Sequence, residues 1–308
     1  MIRQYRYEDL SDDEFEELAN RLCTQLLGIG TISFAPGKDG GRDGKFTGTA
    51  THYPSAVAPH SGKFIIQSKW TSNPAASCAD NDFARLMDKE FPKVQALFEN
   101  GEIDHYIVFT NRRKPAKSTL VLAEKFAEIG LTSVDFFGTE EIDRWLEMNP
   151  AIWTSLGFAD SSQPFRVDPT DLSDVVVAFK EAVDDAEHTF SSATNFTHVK
   201  FKEKNKINIL TDEYADYIRS ESMPYFSDIK AFLSDPRNSE FRDLYHDAAD
   251  DLKQKIMVTR SQFTTFDKVL TYIHDAITNN NPKLRTRKRF VRVFLHYMYH
   301  DCDIGQHA

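Results

Sequence analysis

Two short segments and one helix position hold the residues whose types and spacing could do chemistry. Asp39-Gly40-Gly41-Arg42-Asp43-Gly44 puts a carboxylate directly after a glycine turn, and Gln67-Ser68-Lys69 puts an amide and an ammonium two residues apart. On a strand, period-two geometry places Gln67 and Lys69 on one face and turns Ser68 away. Mg²⁺ takes one or two carboxylates with other oxygens and keeps water and phosphate in its remaining positions. A neighbouring lysine balances the charge that develops when a metal-activated water attacks phosphorus. The expected chemistry is phosphodiester hydrolysis. Asp43, Gln67 and Lys69, with Glu16 on the preceding helix, could together furnish such a site for Mg²⁺ (or Mn²⁺).

These residues need a helix and two strands to position them. Ser11 and Glu14 have capping-box spacing, and Phe15, Leu18, Ala19, Leu22 and Leu26 recur at helical spacing as one buried stripe. Glu16 falls at the edge of that stripe, whereas Glu17 points about 200° from Phe15 into solvent. Strand-like stretches follow at 29–35, 42–47 and 63–70, where Phe64, Ile66 and Trp70 form the expected core side. A helix is expected over 83–98, and the run 105–110 (His-Tyr-Ile-Val-Phe-Thr) reads as a fully buried strand. A helix over 118–129, a strand over 132–137 and a helix capped by Thr139 complete an α/β unit, a central mixed sheet flanked by helices.

The pattern changes near Pro150. Residues 161–170, with Pro164 and Pro169, have the composition of a linker. Beyond them the periodicity is helical almost to the end, with Phe290, Phe294, Leu295 and Met298 on a final helix. The expected division is 1–155, a linker at 156–170, and an all-α domain at 171–308.

A helix glutamate, an aspartate after Gly40-Gly41, and Gln67-Ser68-Lys69 on the next strand together resemble the PD-(D/E)xK restriction-endonuclease-like superfamily. The Phe15-Glu16 pair and the glycine turn are most similar to its Mrr-like branch and to nuclease domains of antiphage effectors. This resemblance implies a DNA nuclease over about residues 8–150, with Asp43 and Gln67 as metal ligands, Lys69 as the catalytic lysine and Glu16 as an auxiliary acid. Gln67 stands where the commonest pattern has glutamate, which gives Glu16 more weight. The segment His296-Tyr297-Met298-Tyr299-His300-Asp301-Cys302-Asp303-Ile304-Gly305 resembles the terminal signature of effector subunits in ABC three-component (Lamassu) defence systems. Ile207 to Leu210 and 229–235 resemble the same domain. That likeness implies a docking and control module held by an SMC-like ATPase and a small accessory subunit, with homo-oligomers in the active state.

A net charge of −10 and a pI near 5.5 argue against coating nucleic acid by bulk electrostatics. Local basic residues must make any contact with double-stranded DNA: Arg42, Arg112, Arg113 and Lys114, with Lys117, are one set. Arg285, Arg287, Lys288, Arg289 and Arg292 are the other. No apolar run is long enough to span a membrane, no signal-peptide pattern opens the chain, and the three cysteines form no CxxC. These features fit a reduced, cytoplasmic protein. The spacing of His300, Cys302 and His307 matches no zinc pattern. Cys23 reads as a core residue, and His52 and His60 as surface-loop residues. The phosphate-binding motif of ATPases is absent. Two other readings remain open: an autonomous Mrr-like restriction enzyme that recognises modified DNA, and a non-enzymatic DNA-binding sensor subunit.

Overall fold

The structure, a computed structural model, describes residues 5–34, 42–157, 169–185, 201–301 and 303–305. They divide into two compact units, the first ending in the 157–169 interval and the second following it. The expected linker, 156–170, lies largely outside the described residues, as do Asp39, Gly40 and Gly41 of the glycine turn.

The first unit is a five-stranded mixed sheet in the order β1-β2-β3-β4-β5. Its strands are β1 (Ile32–Ser33), β2 (Gly44–Thr49), β3 (Ser61–Lys69), β4 (His105–Thr110) and β5 (Ser133–Phe137). The first three pair antiparallel, and β3, β4 and β5 run parallel. Parallel neighbours need crossover helices, supplied by α2 (Asn81–Glu99) and α3 (Ala116–Ala127). On one face Phe64, Ile66, Ile107 and Phe109 pack with Phe15, Leu18 and Leu22 of α1 (Asp12–Leu26), and with residues of α4 (Thr139–Met148) and α5 (Pro150–Ser155). On the other, Ile65, Tyr106 and Val108 pack with Phe83, Met87 and Val94 of α2 and with Leu122 and Phe126 of α3. Both faces of β3 are therefore core.

Ser11 caps α1 as its spacing indicates. Its side chain accepts from the Glu14 N–H at 3.2 Å, and the Glu14 carboxylate accepts in turn from the Ser11 N–H at 2.6 Å. This cap fixes where α1 begins, and hence which of its acids face the sheet. The expected elements form with end shifts of at most two residues, except β1, which is confined to two residues; Gly138, not Thr139, is the cap residue of α4, and Thr139 opens the helix.

The second unit is helical: α6 (Pro169–Asp185), α7 (Phe201–Asn208), α8 (Asp212–Tyr217), α9 (Phe226–Ser234), α10 (Ser239–Thr259), α11 (Phe266–Asn280), α12 (Pro282–Arg285) and α13 (Lys288–His300). Every residue from Phe290 to Tyr299 is buried, so α13 is enclosed on all sides. Its polar side chains are consequently paired inside the core. His296 Nδ1 lies 2.7 Å from Ser222 Oγ, and Nε2 lies 3.1 Å from Tyr214 Oη. Lys204 is wholly buried, donates to the Tyr299 carbonyl and sits 4.5 Å from that ring's centroid. Among the described residues no helix is long and apolar enough to cross a membrane.

Burial, and then the Arg292 charge, hold the His296 imidazole well below its usual pKa of 6.5, and the same causes lower His274. Both rings fold neutral. The unfolded chain takes up their protons as pH falls through about 6.5 and the folded chain does not, so stability is complete above that pH and declines below it. Thermal melting between pH 7.5 and pH 5 is expected to show this fall, with a shallower slope in His296→Gln; an unchanged slope in the variant would contradict the assignment.

Candidate functional site

Asp43 stands immediately before β2, beside the C-terminal end of β3. Its Oδ2 accepts three bonds: from Gln67 Nε2 at 2.7 Å, the Ser68 N–H at 2.5 Å and Ser68 Oγ at 2.6 Å. The Asp43 N–H in turn donates to the Ile66 carbonyl at 3.1 Å. Ser68, which alternation turns away from Gln67, reaches the same carboxylate oxygen because Asp43 sits at the strand's edge. Three donors on one oxygen fix the carboxylate in place.

Gln67 and Lys69 share the α2 face of β3, as expected, but that face is covered. Gln67 is 4% exposed, and α2 brings Glu90, 5% exposed, against Lys69. Lys69 Nζ lies 3.1 Å from Glu90 Oε1, and Lys93 Nζ lies 3.0 Å from the same oxygen. Three polar atoms in this region are buried without a hydrogen-bond partner among the described residues: Gln67 Oε1, Glu90 Oε2 and Tyr106 Oη. Tyr106 is held in its neutral form by burial first and by the Glu90 and Asp43 charges next. Sequence reasoning missed Glu90 and Tyr106. The one available signal was a charged residue at a core position of α2, with Met87 and Val94 three and four residues away.

On α1, Asp12, Glu16 and Asn20 follow one another at four-residue steps and so share a face. Asn20 Nδ2 donates to the Asp43 carbonyl at 3.4 Å. Burial, then the Asp43 charge, push the Asp12 carboxyl up, while Lys69 pulls it down. Half-buried Glu16 lies between these two neighbours of Asp43. Glu17 instead pairs with Arg21 at 2.8 Å, away from the site. Gly44 marks the closest approach: a Cβ there would fall 2.3 Å from Asn20 Oδ1 and 3.3 Å from the Ile32 carbonyl.

No three His, Cys, Asp or Glu side chains gather into a metal-holding group among the described residues. A cation here would rest on at most two carboxylates, together with the Gln67 amide. Gln67 fits that role. Its Nε2 faces Asp43 while its Oε1 is buried and unpartnered, and half a turn of the amide would set Oε1 beside the carboxylate. Two oxygens so placed repel unless a cation lies between them. The donor set is all oxygen, which suits Mg²⁺ or Mn²⁺.

Several of the basic residues expected to meet DNA are paired or buried within the protein, while Lys117 is exposed. Arg42 pairs with Glu102 at 2.7 Å, and Lys114 with Glu141 at 2.5 Å. Arg112 is 4% exposed with its guanidinium over the Phe83 ring, and burial lowers its pKa. The backbone of half-buried Arg113 is tied to Ala76 and Cys78. Arg112 is thus an interior residue rather than a surface contact, because the chain turns back under α2 after β4. In the second basic set Arg287 pairs with Asp171 at 3.1 Å, Arg289 lies over the Tyr225 ring, and Arg292 is buried. His60 stacks on His105 at 4.9 Å at the opposite end of β3 from Lys69, and His52 is exposed. Cys23 is fully buried, and burial raises its thiol pKa far above the ordinary value. Cys302 and His307 lie outside the described residues.

No curated protein and no solved structure matches the chain. Residues 161–305 match the family model described as C-terminal domain 12 of the ABC-three component (ABC-3C) systems. The matched segment carries the helical unit and excludes the Asp43 site; through that domain the chain is associated with ABC-three component systems.

Proposed function

We propose that the first unit is a restriction-endonuclease-like nuclease of the PD-(D/E)xK kind, and that the chain is the DNA-cutting effector of an ABC-three component antiphage system. One observation carries this reading: the Asp43 carboxylate and the Gln67 amide meet at 2.7 Å at the β2–β3 edge, two residues from Lys69 on the same strand face. A turn without chemistry has no use for a fixed carboxylate and a half-buried ammonium on adjacent strands.

Bound Mg²⁺ or Mn²⁺ would supply an activated water and a Lewis acid at phosphorus. Asp43 and Gln67 would hold the ion, and the ammonium of Lys69 would lie against the scissile phosphate and offset the charge that builds on it. Glu16, on the α1 face between Asp12 and Asn20, would orient the ion's water shell. One such hydrolytic site cuts one strand at a time, so cleavage of both strands of DNA calls for a second copy. The helical unit would dock the SMC-like ATPase and the small accessory subunit of the system, which bring the acidic chain to its substrate in the cytoplasm. This division of labour resolves the contrast between a chain of net charge −10 and a polyanionic substrate.

Full-length protein, alone and co-expressed with the partner subunits, tests the reading on supercoiled plasmid with Mg²⁺, Mn²⁺ or EDTA. Metal-dependent nicking or linearisation is expected, falling by about 10²–10³-fold in Asp43→Asn and in Lys69→Ala. Cleavage undiminished in either variant, or absent from wild type even with its partners, would overturn it. Gly44→Ala is a test of position: its new methyl must displace Asn20 and with it the Asp43 segment. A loss of about tenfold to a hundredfold in cleavage, with the fold retained by circular dichroism, is the expected result.

A further inference from the structure

Lys93 is the basic side chain that the structure brings to Lys69. Both ammonium groups sit on Glu90 Oε1, Lys69 at 3.1 Å and Lys93 at 3.0 Å, so the two nitrogens are within about 6 Å of each other. Glu90 brings one negative charge to two positive ones, and the trio is left net positive. The carboxylate is buried, with 6% of its side chain exposed, whereas 16% of the Lys69 side chain and 45% of the Lys93 side chain reach solvent. A buried anion therefore holds one cation at the strand end and a second, more exposed cation beside it. Glu90 Oε2 has no partner among the described residues, so the shared oxygen, Oε1, is the one that both lysines use.

We propose that Lys93 and Lys69, pinned on Glu90, form a two-ammonium clamp for consecutive phosphates of a nucleic-acid backbone, with Lys93 binding the phosphate next to the one that Lys69 faces. The inference rests on the nuclease reading and assigns its substrate contact. The spacing allows it: two ammonium groups held within about 6 Å of each other can each reach one of two neighbouring phosphates along a strand. The clamp also accounts for substrate binding where Arg42, Arg112 and Lys114 are committed to Glu102, the core and Glu141. A pair of phosphate contacts reads no base sequence, so the clamp would set register on the backbone and leave sequence choice to other parts of the assembly.

The test is binding of full-length protein to a short DNA duplex in Ca²⁺, measured across a salt series, for wild type, Lys93→Gln and Lys93→Arg. Lys93→Gln is expected to bind about tenfold more weakly, with a salt slope smaller by about one. Lys93→Arg should stay near wild type. A structural lysine would leave the slope unmoved. Wild-type affinity and slope in Lys93→Gln would overturn the clamp and leave the nuclease reading intact, whereas failure of the wild type to bind duplex at low salt even when co-purified with its partner subunits would count against both.

Discussion

The three hydrogen bonds accepted by one oxygen of Asp43 are the constraint on which the rest of the site depends. They join the start of β2 to the end of β3, so the carboxylate cannot drift from Gln67 without breaking the strand edge that carries it. From that point the positions of the others follow. Lys69 is one alternation further along β3, α1 is drawn over Asp43 through Asn20, and α2 covers Gln67 and Lys69 because β3 is buried on both faces. A carboxylate held this firmly is preorganised, as the proposed hydrolytic site would require.

The charge arrangement around this point is layered. Asp12 and Glu16 lie on the α1 side, Glu90 on the α2 side, and Lys69 is felt by both Asp12 and Glu90. Burying Glu90 without a cation would be costly; two lysines on one of its oxygens offset that cost. The same logic runs through the helical unit, where His296 and Lys204 lie inside a core of aromatic rings, His296 paired with Tyr214 and Ser222 and Lys204 with a backbone carbonyl. Buried polar networks of this type favour one packing over its alternatives.

Much of the frame was legible in the sequence. The Ser11–Glu14 cap, the apolar stripe of α1 and the β-branched run of β4 are local signals, and local signals set element type. The juxtaposition of Asp43 with Gln67 was legible too, since a glycine turn followed by a strand leaves few places for that carboxylate. What was not legible depends on tertiary packing. Alternation says which face Gln67 shares with Lys69 but not that α2 will cover it, so Glu90 went unnoticed. Ser68 was assigned to the far face, yet an edge position lets Asp43 reach both sides. Basic composition likewise says nothing of pairing: Arg112 is packed on Phe83 and Arg292 lies in a helix buried all round, both far from the solvated runs their sequence suggests.

The central claim is that Asp43 and Gln67 hold a hard divalent cation, and Mn²⁺ binding measures it most directly. Titration of the full-length chain by electron paramagnetic resonance should show one Mn²⁺ per chain in wild type, displaced by Mg²⁺, and binding weaker by about tenfold or more in Asp43→Asn. Equal binding in that variant, or no binding in wild type, would contradict the account.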